Sequence, residues 1–131
     1  MQIGTAPIRG FGLQDGNWLQ ALANGQNNSA QAGFTAQADN SKANATQLPA
    51  GVAMIKISTV AGANDSCLLP QALAGVAVLV YNNGASTVDL FGKGTDTIAS
   101  AATANAYSLT TKQSALFFCM VDGNWGVIKG A

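Results

Sequence analysis

Val76-Ala-Val-Leu-Val-Tyr81, Asn82-Asn-Gly-Ala-Ser86, Thr87-Val-Asp-Leu-Phe91: an apolar run, a cluster of turn formers and a second β-rich run follow one another without a break. The first run is apolar at every position, which suits a central strand buried on both faces better than one with a wet side. Asn82, Asn83 and Gly84 tolerate positive φ, so the segment predicts a hairpin between the two strands.

The same punctuation continues toward the C-terminus. Gly92-Lys-Gly-Thr-Asp96 turns the chain into Thr97-Ile98, and Ala106-Tyr-Ser-Leu-Thr110 places Tyr107 and Leu109 on one face. Thr111-Lys-Gln113 turns again, and residues 115–121 form the most hydrophobic strand. Asp122-Gly-Asn124 is a strong hairpin signal that folds residues 125–129 back on that strand. Asp-Gly-Asn-Trp also occurs at 15–18, but the flanking residues differ, and we read it as one turn chemistry used twice rather than as a repeat.

Toward the N-terminus, Val52-Ala-Met-Ile-Lys-Ile-Ser-Thr-Val60 has Ile55 and Ile57 on one face against Lys56 and Ser58 on the other. That alternation is the period of a half-buried strand. Residues 61–66 form a turn, and Cys67-Leu-Leu69 is a short strand before Pro70, which cannot donate to a ladder. Short strands at regular spacing predict an all-β fold over residues 51–131, an antiparallel β-sandwich or a jelly-roll-like barrel.

Residues 1–50 read as an irregular N-terminal arm. Trp18, Leu19 and Leu22 can share one face of a short helical turn, residues 24–33 are a loop, residues 34–38 are a short strand and residues 39–46 are polar. An arm of this kind cannot offset its own ordering entropy. Its apolar residues Phe11, Trp18, Leu19, Leu22 and Phe34 are therefore expected to be contact residues, docking on a partner or on the β domain.

Composition excludes several functions. The 131 residues carry six Lys and Arg, six Asp, no Glu and no His, spread evenly along the chain. Without a basic stripe, binding to nucleic acid by counterion release is not expected. A surface of Asn, Gln, Ser, Thr, Ala and Gly gives little repulsion between copies, which fits a biased or secreted composition, or a subunit that packs against neighbours. No run approaches the ~20 apolar residues of a membrane span, and the first residues show no signal-peptide pattern, so the expectation is a soluble protein made in the cytoplasm.

Catalysis would need paired carboxylates, a nucleophile with a base, or a metal cluster. The only candidate bases are Asp residues, and Asp15, Asp65, Asp89, Asp96 and Asp122 sit in or beside expected turns, where Asp caps backbone N–H groups. Asp65 with Asp96 or Asp122 is the one grouping to weigh for calcium, and no Asp-x-Asp-x-Asp-Gly loop accompanies it. No enzyme, no cofactor and no metal is the reading. Cys67 and Cys119 can pair in an oxidising compartment, but the apolar setting of Cys119 favours free core thiols. Phe117 and Phe118 are adjacent on one strand and must face opposite ways, one into the core and the other toward a second sheet or a neighbouring subunit.

The order of the turn signals adds one more indication. Gly75-Val-x-Val-x-Val-Tyr-Asn-Asn-Gly-Ala-x-x-Val-x-Leu-Phe-Gly92, then Gly94-Thr-Asp-Thr-Ile98, then Ser108-Leu and Lys112-Gln-Ser-Ala-Leu-Phe-Phe-Cys119, closed by Asp122-Gly-Asn-Trp125, resembles small virion proteins of tailed bacteriophages over residues 60–128. The chain departs from that pattern where Gly92 replaces a Pro and where the Gly-Asp-x-Ile turn is one residue longer. The resemblance implies a structural virion component, foremost a capsid decoration or cement protein that bridges subunits of the major capsid protein as a homo-oligomer, commonly a homotrimer. The alternative is a carbohydrate- or receptor-binding module of a head or tail fibre, with Trp18, Tyr107 or Trp125 as the sugar-stacking aromatic.

Overall fold

The computed structural model of the chain describes residues 29–130, so the expectations for Phe11, Trp18, Leu19 and Leu22, and for the helical turn around them, lie outside the described residues. The described chain contains ten strands and no helix: β1 (Ala30–Thr35), β2 (Thr46–Gln47), β3 (Met54–Thr59), β4 (Asp65–Leu68), β5 (Ala77–Asn82), β6 (Val88–Phe91), β7 (Thr97–Ile98), β8 (Tyr107–Leu109), β9 (Ser114–Val121) and β10 (Asn124–Lys129).

The first six strands alternate between two sheets. One sheet has six strands in the order β1-β3-β5-β9-β10-β7, the other has four in the order β2-β4-β6-β8. Ala30 lies beside Met54 and Met54 beside Leu79, in parallel, while Thr46 pairs with Cys67 and Asp65 with Val88, again in parallel. The chain therefore winds as a short β-solenoid, each coil giving one strand to each sheet. The direction then reverses: β8 runs antiparallel to β6, β9 antiparallel to β5, and β10 folds back on β9.

The all-β expectation is met, but the sheets are mixed and wound as a solenoid rather than laid out as an antiparallel sandwich or jelly roll. The difference is visible at Asn82. Its buried side chain donates from Nδ2 to the carbonyls of Ser86 and Leu109, both at 2.9 Å, and its Oδ1 accepts from the Gly84 N–H at 2.8 Å. These bonds hold a corner that carries the chain from one sheet to the other, so β6 pairs with β4 and β8 and not with β5. The expected hairpin at 82–86 is a crossover corner. At Asp122-Gly123 the expected hairpin does form, with Val121 paired to Asn124 and Gly123 at φ 88°.

β1 and β2 lie on the N-terminal side of the boundary expected at residue 50. Both are ordered by parallel pairing in the first coil, and Leu48 just after β2 is fully buried. The edge strand β1 carries a bulge around Gly33, whose N–H bonds Ser58 Oγ on β3 at 3.0 Å rather than a ladder carbonyl. A bulge of this kind blunts an open sheet edge.

One core fills the space between the sheets. Ile55, Ile57, Val78, Val80, Ala115, Phe117 and Trp125 enter it from the six-stranded sheet, and Cys67, Val88, Leu90 and Leu109 from the other. Tyr107 and Phe117 meet edge to face across the core, with centroids 5.7 Å apart and planes at 85°. Each large side chain so buried contributes about 1.5–3 kcal/mol.

Candidate functional site

The two sheets differ in what covers their outer faces. On the four-stranded sheet the outward positions Ser66 and Asp89 are buried, Ser66 beside a strap formed by residues 37–42 and Asp89 between Asn64 and Ser108. Gln37 and Ser66 exchange backbone bonds of 2.9 Å, Ser66 Oγ donates to the Ser41 carbonyl, and Lys42 Nζ ties the strap to the carbonyls of Gly94 and Thr103. The Asp89 carboxylate accepts from Ser108 Oγ at 2.6 Å and from Asn64 Nδ2 at 3.1 Å.

No described segment crosses the outer face of the six-stranded sheet. Strand alternation sends Met54, Leu79, Leu116 and Ile128 outward, and pairing aligns them in one row across β3, β5, β9 and β10. A second row runs from Ala77 through Phe118 to Gly126, and Met120 extends it toward the hairpin tip. Met54 is 51% exposed, Ile128 61% and Met120 79%, while Leu79, Leu116, Phe118 and Tyr81 are half-buried by their neighbours. Lys56 is the single charged residue among the outward positions of these four strands. Large apolar side chains gathered on one exposed face mark an interaction surface.

The expected contact residues separate accordingly. Phe118 faces outward into this patch, whereas Phe117 is fully buried in the core and Phe34 packs against the core from β1. Met54, Leu79, Leu116, Met120 and Ile128 were not among the expected residues. Their signal lies in the phase: Leu79 and Leu116 are apolar at positions that alternate with core residues, so β5 and β9 are apolar on both faces, whereas Met54 shares its face of β3 with Lys56 and Ser58.

The aromatics offered for sugar stacking are otherwise engaged. Trp125 is fully buried, with Nε1 lacking a hydrogen-bond partner, and Tyr107 is held between Phe117 and the Lys129 ammonium, 5.2 Å above its ring. Trp18 lies outside the described residues.

The carboxylates serve as turn acceptors. Asp65 accepts from the N–H groups of Ala61 and Gly62 at 3.1 and 2.9 Å, Asp96 from Ala72 at 2.7 Å and Asp122 from Ala74 at 2.8 Å. Asp96 and Asp122 thus grip the same loop from two sides, apart from the Asp65 turn. Among the described residues no three metal-ligating side chains come together, and no helix is long and apolar enough to cross a membrane. Cys67 and Cys119 are both buried and free. Burial, with the Asp65 charge as the lesser cause, pushes the Cys67 thiol up to about 12, the opposite of an activated nucleophile. A groove of about 380 Å³ lies at the corner between the sheets, lined mainly by Leu48, Pro49, Val52, Pro70, Leu73 and Val76 with Lys93, and none of these groups is a nucleophile paired with a base.

Fold and face together define a small β-solenoid body with a strap of its own chain against one sheet and a row of apolar side chains exposed on the other. Comparison with protein families, with curated proteins and with solved structures finds no match.

Proposed function

We propose that this chain is a structural component of a tailed-bacteriophage particle, a capsid decoration or cement protein that acts by contact rather than catalysis. In this reading it is a homo-oligomer that bridges subunits of the major capsid protein on the assembled virion. The β-solenoid supplies the body, and the N-terminal segment reaches the shell. The observation that carries the reading is the open apolar face of the six-stranded sheet, set in a chain with few charges and with Asp65, Asp96 and Asp122 committed to backbone N–H groups of its turns. At ~25 cal/mol per Å² of apolar surface, a modest contact repeated over many copies adds up to a large stabilisation of a shell.

Copy number per particle, measured by quantitative mass spectrometry against the major capsid protein, tests the proposal. Hundreds of copies are expected. A handful would point to a fibre or tail component, and none would remove the chain from the particle.

A further inference from the structure

We infer that the outer face of the six-stranded sheet is where a second copy of this chain packs, face to face, across a two-fold axis through the Leu79 and Leu116 pair. The inference rests on the reading of the chain as an assembling protein and assigns one surface to that role.

Position is the first argument. In the order β1-β3-β5-β9-β10-β7 the centre of the sheet falls between β5 and β9, and Leu79 and Leu116 are partners across that central pair. The apolar row reaches outward from them to Met54 on one side and Ile128 on the other. A patch centred on the middle of its sheet can cover itself, which is what a two-fold interface requires.

Area is the second. Strands ~4.8 Å apart and roughly 20 Å long give a six-stranded face of about 500 Å², so two such faces would bury on the order of 1,000 Å², the threshold for a specific interface.

Charge is the third. Lys56 is the one charged group on the face and sits to one side of the row, on β3. A two-fold through the Leu79 and Leu116 pair that runs along the strands, or along the apolar row, sets the two copies of Lys56 roughly 13 Å or more apart at ordinary strand spacings, so neither axis brings like charges into contact.

The opposite sheet shows the alternative that the chain did not take here. Residues 37–42 lie beside Ser66 on the outer side of the four-stranded sheet, whereas Met54, Leu79, Leu116 and Ile128 are outward apolar residues in one row on the other sheet. An open, nearly uncharged apolar face on a neutral chain is complementary to another such face.

Size-exclusion chromatography with light scattering on the full chain tests the inference. The expected mass is twice the 13.2 kDa of the protomer, falling by half in the double variant Met54→Lys, Ile128→Lys, with Thr95→Lys as an exposed control that leaves the dimer intact. Both substituted residues are more than half exposed, and a thermal unfolding scan confirms that the variant is folded; Ile128→Lys alone carries the test if the double variant is not. A wild-type protomer mass at every concentration, a trimer, or a dimer indifferent to these substitutions overturns the inference. The copy-number measurement is separate: a monomer in solution with hundreds of copies per particle overturns the pairing and leaves the decoration reading, and a dimer missing from particles does the reverse.

Discussion

The ring of Phe118 reaches over Gly126 on the neighbouring strand: a Cβ at position 126 would stand 2.5 Å from Cε2 and 2.6 Å from Cζ. The glycine lets an outward aromatic fold down over the sheet, which keeps Phe118 half-buried although nothing else in the described chain covers its face. Gly126→Ala is expected to push the ring outward and to destabilise by about 1 kcal/mol, a modest loss because the ring is the free end of an outward side chain. Urea denaturation measures that loss. The two adjacent phenylalanines supply the internal comparison: Phe117→Ala empties a core site and should cost about 3–5 kcal/mol, Phe118→Ala less than half as much.

Gly84 is the contrasting case. A Cβ there would meet the Val60 backbone nitrogen at 2.5 Å and the Val60 Cβ at 2.6 Å, neither of which can swing aside. Gly84→Ala must therefore displace a corner of the coil, and a loss of about 2–3 kcal/mol is expected in the same denaturation assay. A Gly84→Ala protein as stable as the parent would show that the corner at 82–86 does not fix the packing of the coil.

Much of the strand content was legible in the sequence, and the winding was not. β3, β5, β6, β7, β8, β9 and β10 fall where β-branched and aromatic runs lie between turn residues, because strand formation is a local preference for a pleated surface. Asn82-Asn-Gly84 signals a turn, but the same residues serve a hairpin or a corner, and the side-chain bonds of Asn82 to Ser86 and Leu109 that decide between them form only in the folded chain. β2, two residues long between polar segments, has no apolar signature, and its place is set by pairing with β4. Of the candidate face, Phe118 alone was visible. The rest needed the register that aligns Met54, Leu79, Leu116 and Ile128, and parallel pairing between coils of unlike sequence leaves no local trace.

Cys67 gives stability a specific pH dependence. Its thiol is raised from the ordinary 9.0 to about 12 in the folded chain, by burial first and then by the Asp65 charge. Below pH 9.0 the thiol is protonated in both states and its contribution is complete; from there to about 12 the unfolded chain ionises while the folded one does not, so stability falls across that window. Cys67→Ala removes this component, and the alkaline loss in the wild type should be steeper than in the variant when thermal unfolding is followed against pH. In the native protein Cys67 should also resist alkylation at pH 8 until the chain is unfolded. Parallel alkaline profiles for the two proteins would show that the thiol does not carry this part of the pH dependence.

Asn82→Asp tests the crossover corner with the least change in shape. The substitution keeps an acceptor for the Gly84 N–H but replaces the Nδ2 donor by a second oxygen facing the carbonyls of Ser86 and Leu109. At neutral pH this buries a carboxylate against two acceptors, and the expected destabilisation is about 3–5 kcal/mol. Burial raises the folded-state pKa of the new carboxyl above its unfolded value near 3.9, so the loss should be smallest at low pH and grow as pH rises through about 4. A protonated carboxyl can donate to only one of the two carbonyls, so even at low pH the variant should remain less stable than the parent. Asn82→Leu leaves the Ser86 and Leu109 carbonyls, and the Gly84 N–H as well, without this partner but adds no titrating group, so its deficit should stay constant over that pH range. If both variants show the same pH profile, the corner is not held by the side-chain bonds of Asn82, and the two sheets owe their separation to packing alone.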